Sequence, residues 1–284
     1  MDSNAIPVAL VTGGSAGLGF VIARTLMKAG YRVMITGRDG DRLNQAMLRL
    51  DPEGTARDSD GGRQRLTCRG CDVTSDSDVK QLIVDCLETF GRLDVLINCV
   101  GASDRGVLET LEIDQAELLF RQNVVTALLC SQHALSALEA TGGVIVNIGS
   151  LASKVGARYI GGYAMAKHAL AGMTQQLRLE LKPRGIHVCL VSPGPIRRED
   201  GGQRYQESVA GLPPQAAQPG GGTRVKGLPP ERVAEAVLKA IQKRKPDVVL
   251  PRYLRLLITL GHAVPRLGDW LLLKFTSPKT DADT

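Results

Sequence analysis

Short apolar runs alternate along the chain with longer stretches in which apolar residues recur every three to four positions. The runs cover residues 7–12, 32–36, 66–71, 93–98, 144–148, 186–191 and 247–250. Unbroken apolar runs of this length, bounded by turn residues, predict strands buried on both faces, as in a parallel sheet. The longer stretches predict helices. Phe20, Ile22, Ala23, Leu26, Met27 and Ala29 mark one apolar face, which stops at Gly30. Val79, Leu82, Ile83, Cys86, Leu87 and Phe90 mark another, with Thr74 or Ser75 placed to cap it. Further helices are predicted over 41–50, 115–138, 159–182 and 231–245. Alternating strand and helix predicts an α/β fold with a mostly parallel, seven-stranded sheet and helices on both faces.

Two segments break this rhythm. Residues 197–230 are rich in Gly, Pro and Gln and carry little periodicity. They follow the end of a strand, which predicts a mobile substrate lid. Residues 253–275 are apolar, but Arg255, His262, Arg266, Asp269 and Lys274 interrupt them and Pro265 divides them. A membrane span needs ~20 largely uncharged apolar residues, so this extension is not one. Packing on the pocket or on a partner subunit is the favoured reading, and contact with a membrane surface is the alternative. With no linker between two cores and no internal repeat, residues 1–284 read as a single domain.

Composition narrows the function. The chain of 284 residues carries a net charge of +6, but aromatic residues make up only 4%. A nucleic-acid binder would interleave stacking aromatics with its basic residues, so no nucleic-acid partner is expected. The six cysteines, at 68, 71, 86, 99, 130 and 189, mostly fall within apolar patterns. They read as buried free thiols in a reducing, cytoplasmic setting. Cys68 and Cys71 form a C-x-x-C, but no second pair or nearby His completes a metal site, and no metal is expected.

The candidate chemistry lies at the predicted strand ends. After the first strand comes Thr12-Gly13-Gly14-Ser15-Ala16-Gly17-Leu18-Gly19, which opens the first helix. Bare backbone N–H groups at a helix N-terminus attract a pyrophosphate, so this turn reads as the opening of a dinucleotide-binding, doubly wound Rossmann-type fold. The second strand ends in Thr36-Gly37-Arg38-Asp39. Arg38 suits the 2′-phosphate of NADP, while Asp39 one residue on keeps NAD open. After the fifth strand, Ser150 is followed by Tyr163 and Lys167, which lie one helical turn apart on one face. A hydroxyl, a phenol and an ammonium converging there can polarise a carbonyl and move a proton.

With these residues in place, the chain resembles the short-chain dehydrogenase/reductase family, in its single-domain branch of ~250 residues. The likeness rests on the Thr12–Gly19 turn, on Asp72-Val73, on Asn98 and Gly101 within N-C-V-G, and on Asn123, Ser150, Tyr163 and Lys167. Pro193 and Gly194, followed by Ile196, resemble the family's turn beside the nicotinamide. The resemblance implies catalytic roles for Asn123, Ser150, Tyr163 and Lys167. It implies cofactor contacts from Thr12, Gly13, Ser15, Gly17, Leu18, Gly19, Arg38, Asp72, Val73, Asn98, Gly101, Tyr163, Lys167, Pro193, Gly194 and Ile196. The implied reaction is hydride transfer between NADP, with NAD possible, and a carbonyl or secondary alcohol. A homodimer or homotetramer is implied as well. Reduction of a 3-oxoacyl thioester, or non-catalytic dinucleotide sensing, are the competing readings. Where the family often has a Thr after the Pro-Gly turn, Arg198 stands nearby.

Overall fold

Seven strands run side by side with their carboxyl ends along one edge, in the computed structural model of the protein, which describes residues 5–54, 64–197, 209 and 211–276. They are β1 (Val8–Thr12), β2 (Arg32–Gly37), β3 (Leu66–Gly70), β4 (Val95–Asn98), β5 (Val144–Ile148), β6 (His187–Pro193) and β7 (Asp247–Leu250). Their order is β3-β2-β1-β4-β5-β6-β7, and every neighbouring pair is parallel. The expected sheet is therefore parallel throughout. The chain reverses its direction of winding between β1 and β4, which opens a crevice beyond the carboxyl ends of those strands.

The helices are α1 (Gly17–Lys28), α2 (Gly40–Leu50), α3 (Asp76–Phe90), α4 (Ile113–Phe120), α5 (Thr126–Thr141), α6 (Tyr163–Leu181), α7 (Pro230–Gln242), α8 (Leu254–Ala263) and α9 (Pro265–Thr276). On one face of the sheet, Ala9 and Val11 share a core with Phe20, Ile22 and Leu26 of α1 and Val233, Val237 and Ile241 of α7. On the other, Val8 and Leu10 pack with Leu82 and Cys86 of α3 and Cys130, Ala134 and Leu138 of α5. Successive strand residues serve opposite cores, which is why the strands read as unbroken apolar runs.

Two predicted helices differ from the expectation, each at the future site. The helix expected over 159–182 begins only at Tyr163. Tyr159 has φ +63°, Ile160 bridges to Gly106, and the Gly161 amide donates to the Gly106 carbonyl at 3.0 Å. These bonds hold 159–162 as a turn, so α6 starts with Tyr163 at its first position. The single helix expected over 115–138 is interrupted by a π turn at Arg121–Val125.

The end of β1 is tied to the end of β4 by one side chain. Thr12 donates its hydroxyl to the Ile97 carbonyl at 3.3 Å and accepts from the Cys99 amide at 3.0 Å. All six cysteines are free, and burial pushes the Cys71 thiol up to about 11, consistent with an inert thiol in the core. Replacing Thr12 with Val keeps the side-chain shape but leaves the Cys99 amide without its acceptor. Urea unfolding of Thr12→Val is expected to show a loss of about 1–3 kcal/mol.

Candidate active site

The carboxyl ends of β4 and β5 gather the candidate catalytic residues. Lys167 lies in the second turn of α6 and is buried. Its Nζ donates to the Ile148 carbonyl at the end of β5 at 3.0 Å and lies 5.7 Å from the centre of the Tyr163 ring. Burial lowers its ammonium from 10.5 to about 8. Tyr163 is half-buried at the start of the same helix. Ser150 follows β5 in an extended conformation, and its hydroxyl accepts the Ala152 amide at 3.1 Å. The Ser153 hydroxyl accepts the Ser150 amide at 3.0 Å, so the Ser150 backbone is fixed from both sides.

Asn123 completes the group from the facing helices. Its amide donates to the Leu119 and Ala102 carbonyls, each at 2.9 Å. Taking the carbonyl four residues back competes with the α-helical ladder, and the Thr126 amide bonds to Arg121 five residues back instead. The π turn is the result. It leaves Asn123 Oδ1 buried with no protein partner, an acceptor facing the cluster. Gly101 lies against it: a Cβ there would come 2.6 Å from Asn123 Oδ1 and 3.2 Å from Lys167 Nζ. Only a bare backbone lets β4's end, the π turn and α6 approach this closely.

The dinucleotide turn lies beside this cluster, at the end of β1. A Cβ on Gly19 would run into the Gly13 carbonyl oxygen, so the turn closes directly onto the helix and leaves its N-terminus bare. Ser15 sits beside Gly37, since a Cβ there would lie 3.0 Å from Ser15 Oγ. Arg38 is exposed next in line. Asp39 is committed elsewhere: it caps α2 by accepting the Arg42 amide at 3.0 Å and pairs with the Arg42 guanidinium at 3.2 Å.

Several other predicted contact residues have side chains engaged within the protein. The Asp72 carboxylate accepts from the Thr74 amide and hydroxyl at 3.0 and 2.9 Å. The amide bond, with help from the Arg38 charge, holds this carboxyl below its usual range. Val73 is buried in the core. Asn98 turns its side chain away from the crevice, toward Asn147 at 2.8 Å and Ser131 at 3.2 Å. The Gly194 amide donates to the Leu250 carbonyl at 2.7 Å, and Ile196 bridges to Leu228. Leu18, Pro193 and Gly17 lie on the same edge, at the ends of β1 and β6. Arg198 lies outside the described residues, as does much of the first half of the predicted lid.

Arg105 has a place at this site that no sequence signal marks. It is buried, and its guanidinium donates to the Ala216 carbonyl at 2.9 Å and the Gln218 carbonyl at 3.4 Å. It thereby pins the described part of the 197–230 segment to the loop after β4. No periodicity or spacing marks this Arg within Ser103-Asp104-Arg105-Gly106. Asn147, inside an apolar strand, is unmarked for the same reason. Among the described residues no group of His, Cys, Asp and Glu could hold a metal ion.

A family model described as short chain dehydrogenase matches residues 7–207. A putative ketoacyl reductase of granaticin polyketide synthesis from Streptomyces violaceoruber is 32% identical over 72% of this chain and 73% of its own length. Dehydrogenase/reductase SDR family member 7B of Danio rerio is 32% identical over 86% of this chain and 76% of its own. The solved structure of an actinorhodin polyketide ketoreductase variant with NADPH superposes with a TM-score of 0.72 at 26% identity, covering 87% of this chain and 96% of its own.

Lys167 makes stability depend on pH. Its folded value, about 8, lies below the 10.5 of an unperturbed lysine. Between these values the unfolded chain binds the extra proton, so stability rises with pH, and below about 8 the cost of the buried ammonium is felt in full. Lys167→Met is expected to abolish this rise, a difference on the order of 2–4 kcal/mol across the window, read by denaturant unfolding at several pH values.

Proposed function

We propose that this chain, which belongs to the short-chain dehydrogenase/reductase family, is an NADPH-dependent reductase acting on the ketone of an apolar, lipid-like substrate. That it is an NAD(P)-dependent oxidoreductase follows from the family; the preference for NADPH, the substrate and the residue roles are the proposal. The observation that carries the cofactor preference is the division of labour at the end of β2. Asp39, the residue an NAD enzyme would offer to the ribose hydroxyls, is engaged by Arg42, while Arg38 is exposed and carries its charge near Asp72. A guanidinium there suits a 2′-phosphate.

The residues fit the cofactor. The Thr12–Gly19 turn offers backbone amides and a helix N-terminus to the pyrophosphate. The backbones at Asp72, Val73, Asn98 and Gly101 line the adenosine side, and Pro193, Gly194 and Ile196 the nicotinamide side. A bound NADPH supplies the hydride. The protein supplies the proton and the alignment. Ser150 holds the substrate oxygen through its hydroxyl. Tyr163 Oη donates the proton to that oxygen as the alcohol forms and takes it back in the reverse direction. Lys167 carries its positive charge one helical turn away, which lowers the energy of the phenolate left behind. Asn123 fixes the π turn against which Lys167 is held, and its buried Oδ1 offers an acceptor for a water linking Lys167 to solvent.

The 32% identity to a ketoacyl reductase favours a second substrate reading, a 3-oxoacyl thioester. The exposed apolar helices beside the Ser150 loop favour the bulkier, lipid-like ketone. A purely sensing role is disfavoured by the buried ammonium. It stands in an intact set with Asn123, Ser150 and Tyr163, which a protein that only senses a dinucleotide could lose freely.

Two measurements test this reading. Arg38→Leu is expected to weaken NADPH binding about 10–100-fold in a fluorescence titration and to leave NADH binding nearly unchanged, in line with loss of a charged hydrogen bond. Equal losses for both cofactors refute the preference. Tyr163→Phe is expected to keep NADPH affinity and to lose at least about 100-fold in turnover, read as single-turnover NADPH oxidation over a panel of ketones.

A further inference from the structure

The exposed apolar surface of this protein is concentrated at its C-terminal end. Among the described residues fifteen large hydrophobic side chains are exposed, and seven of them lie between Tyr253 and Leu273. Helix α8 has no buried residue at all. Tyr253, Leu256, Leu257 and Leu260 recur at helical spacing and form one stripe, with Leu256 75% exposed. On α9, Trp270 and Leu273 are one turn apart, and Trp270 is 53% exposed. The hairpin is nevertheless a built unit. Its helices cross at Gly261 and Gly268, where a Cβ on Gly268 would come 2.7 Å from the Gly261 carbonyl oxygen. Its turn is anchored to the body where His262 Nε2 lies 2.6 Å from the Lys154 carbonyl oxygen.

The charges on this hairpin are predominantly positive. Between residues 252 and 276 the chain carries Arg252, Arg255, Arg266 and Lys274 against a single acid, Asp269. The Lys274 ammonium lies 4.9 Å from the Trp270 ring centre, an indole and a cation side by side. Indole rings and long basic side chains favour the boundary between lipid tails and headgroups. The helices have 10 and 12 residues and span about 15 and 18 Å. A bilayer core is ~30 Å thick, so neither helix crosses it, and no helix of the described residues is long and apolar enough to do so.

We propose that α8 and α9 form a docking surface for an anionic lipid bilayer. The apolar stripe enters the headgroup boundary, and the four basic residues meet lipid phosphates and carboxylates. A second protein copy would need acidic residues to answer this charge, and the hairpin itself offers only Asp269. The hairpin starts at the carboxyl end of β7, the edge of the sheet that carries Ser150, so docking places that edge at the bilayer. This docking does not depend on the reaction proposed above, and its test reads binding alone.

Trp270 is the only tryptophan in the chain and reports directly. The full-length protein is titrated with phosphatidylcholine vesicles containing about 30% phosphatidylserine and, separately, with pure phosphatidylcholine vesicles. A blue shift of Trp270 emission and co-sedimentation with the anionic vesicles, weakened in high salt and about tenfold weaker for Leu256→Glu and for Arg255→Gln with Lys274→Gln, is the expected result. Ile113→Glu, which changes an exposed apolar residue on α4, should bind like the parent. All of these side chains are exposed, and a thermal melt on each variant verifies the fold. Absence of a shift and of co-sedimentation overturns the proposal. Sedimentation velocity in which Leu256→Glu splits an oligomer, without any vesicle binding by the parent, also overturns it and assigns the surface to a second copy.

Discussion

A single ammonium group, buried at the carboxyl end of β5, sets the requirements for the rest of the site. Lys167 keeps its charge below about pH 8 although it is buried, and among the described residues its ammonium donates to the Ile148 carbonyl. A charge in that setting is costly unless the surroundings are held in place. Three elements do so. Strand β5 fixes the carbonyl, α6 fixes the stem of the lysine, and the π turn brings Asn123 against the Gly101 backbone. Moving any of them by an ångström would either strand the charge or let the lysine swing out. The chemistry therefore depends on rigid elements at the strand ends and on the short connections that leave them.

The rigidity has its own source, one layer below. Asn98 on β4 donates to Asn147 on β5, and Asn147 donates to Thr174 on α6 at 2.9 Å. Asn98 also reaches Ser131 on α5. Four elements that meet at the site are joined by fully buried side-chain bonds, where a polar group without a partner would cost about 1–3 kcal/mol. Such a chain favours one register of β4, β5, α5 and α6 over its neighbours, because a slip would leave several donors unmet at once. The Thr12 hydroxyl plays the corresponding part between β1 and β4. The crevice for the cofactor is thus defined by polar bonds, although the bulk of the stability comes from the two apolar cores.

How much of this can be read in the sequence follows from the range of each interaction. The strands and most helices were legible, because burial on both sheet faces leaves unbroken apolar runs and burial of one helix face leaves a period of about 3.6. The site was legible where side-chain chemistry is tied to local spacing, as for Tyr163 and Lys167 and for the Thr12–Gly19 turn. Three features were not. The late start of α6 comes from a bridge between Ile160 and Gly106, over fifty residues apart. The π turn was half legible, since Asn123 stood out as a poor helix former, but its reason lies in the Ala102 carbonyl across the site. Arg105 looks like any polar loop residue until the chain folds back and brings Ala216 to it.

That division also explains where substrate choice must reside. The sheet edge supplies a proton, a charge and a place for a dinucleotide, and nothing in it distinguishes one ketone from another. Discrimination has to come from residues outside this group, and two bodies are attached beside the ends of β4 and β5. The segment around Ala216 is pinned by the Arg105 guanidinium, and the α8–α9 hairpin by His262 on the Lys154 carbonyl. Both attachments end on backbone carbonyls, so they fix position without constraining the neighbouring side chains. A body attached in this way can change residue by residue while the catalytic lysine stays where its buried charge requires it.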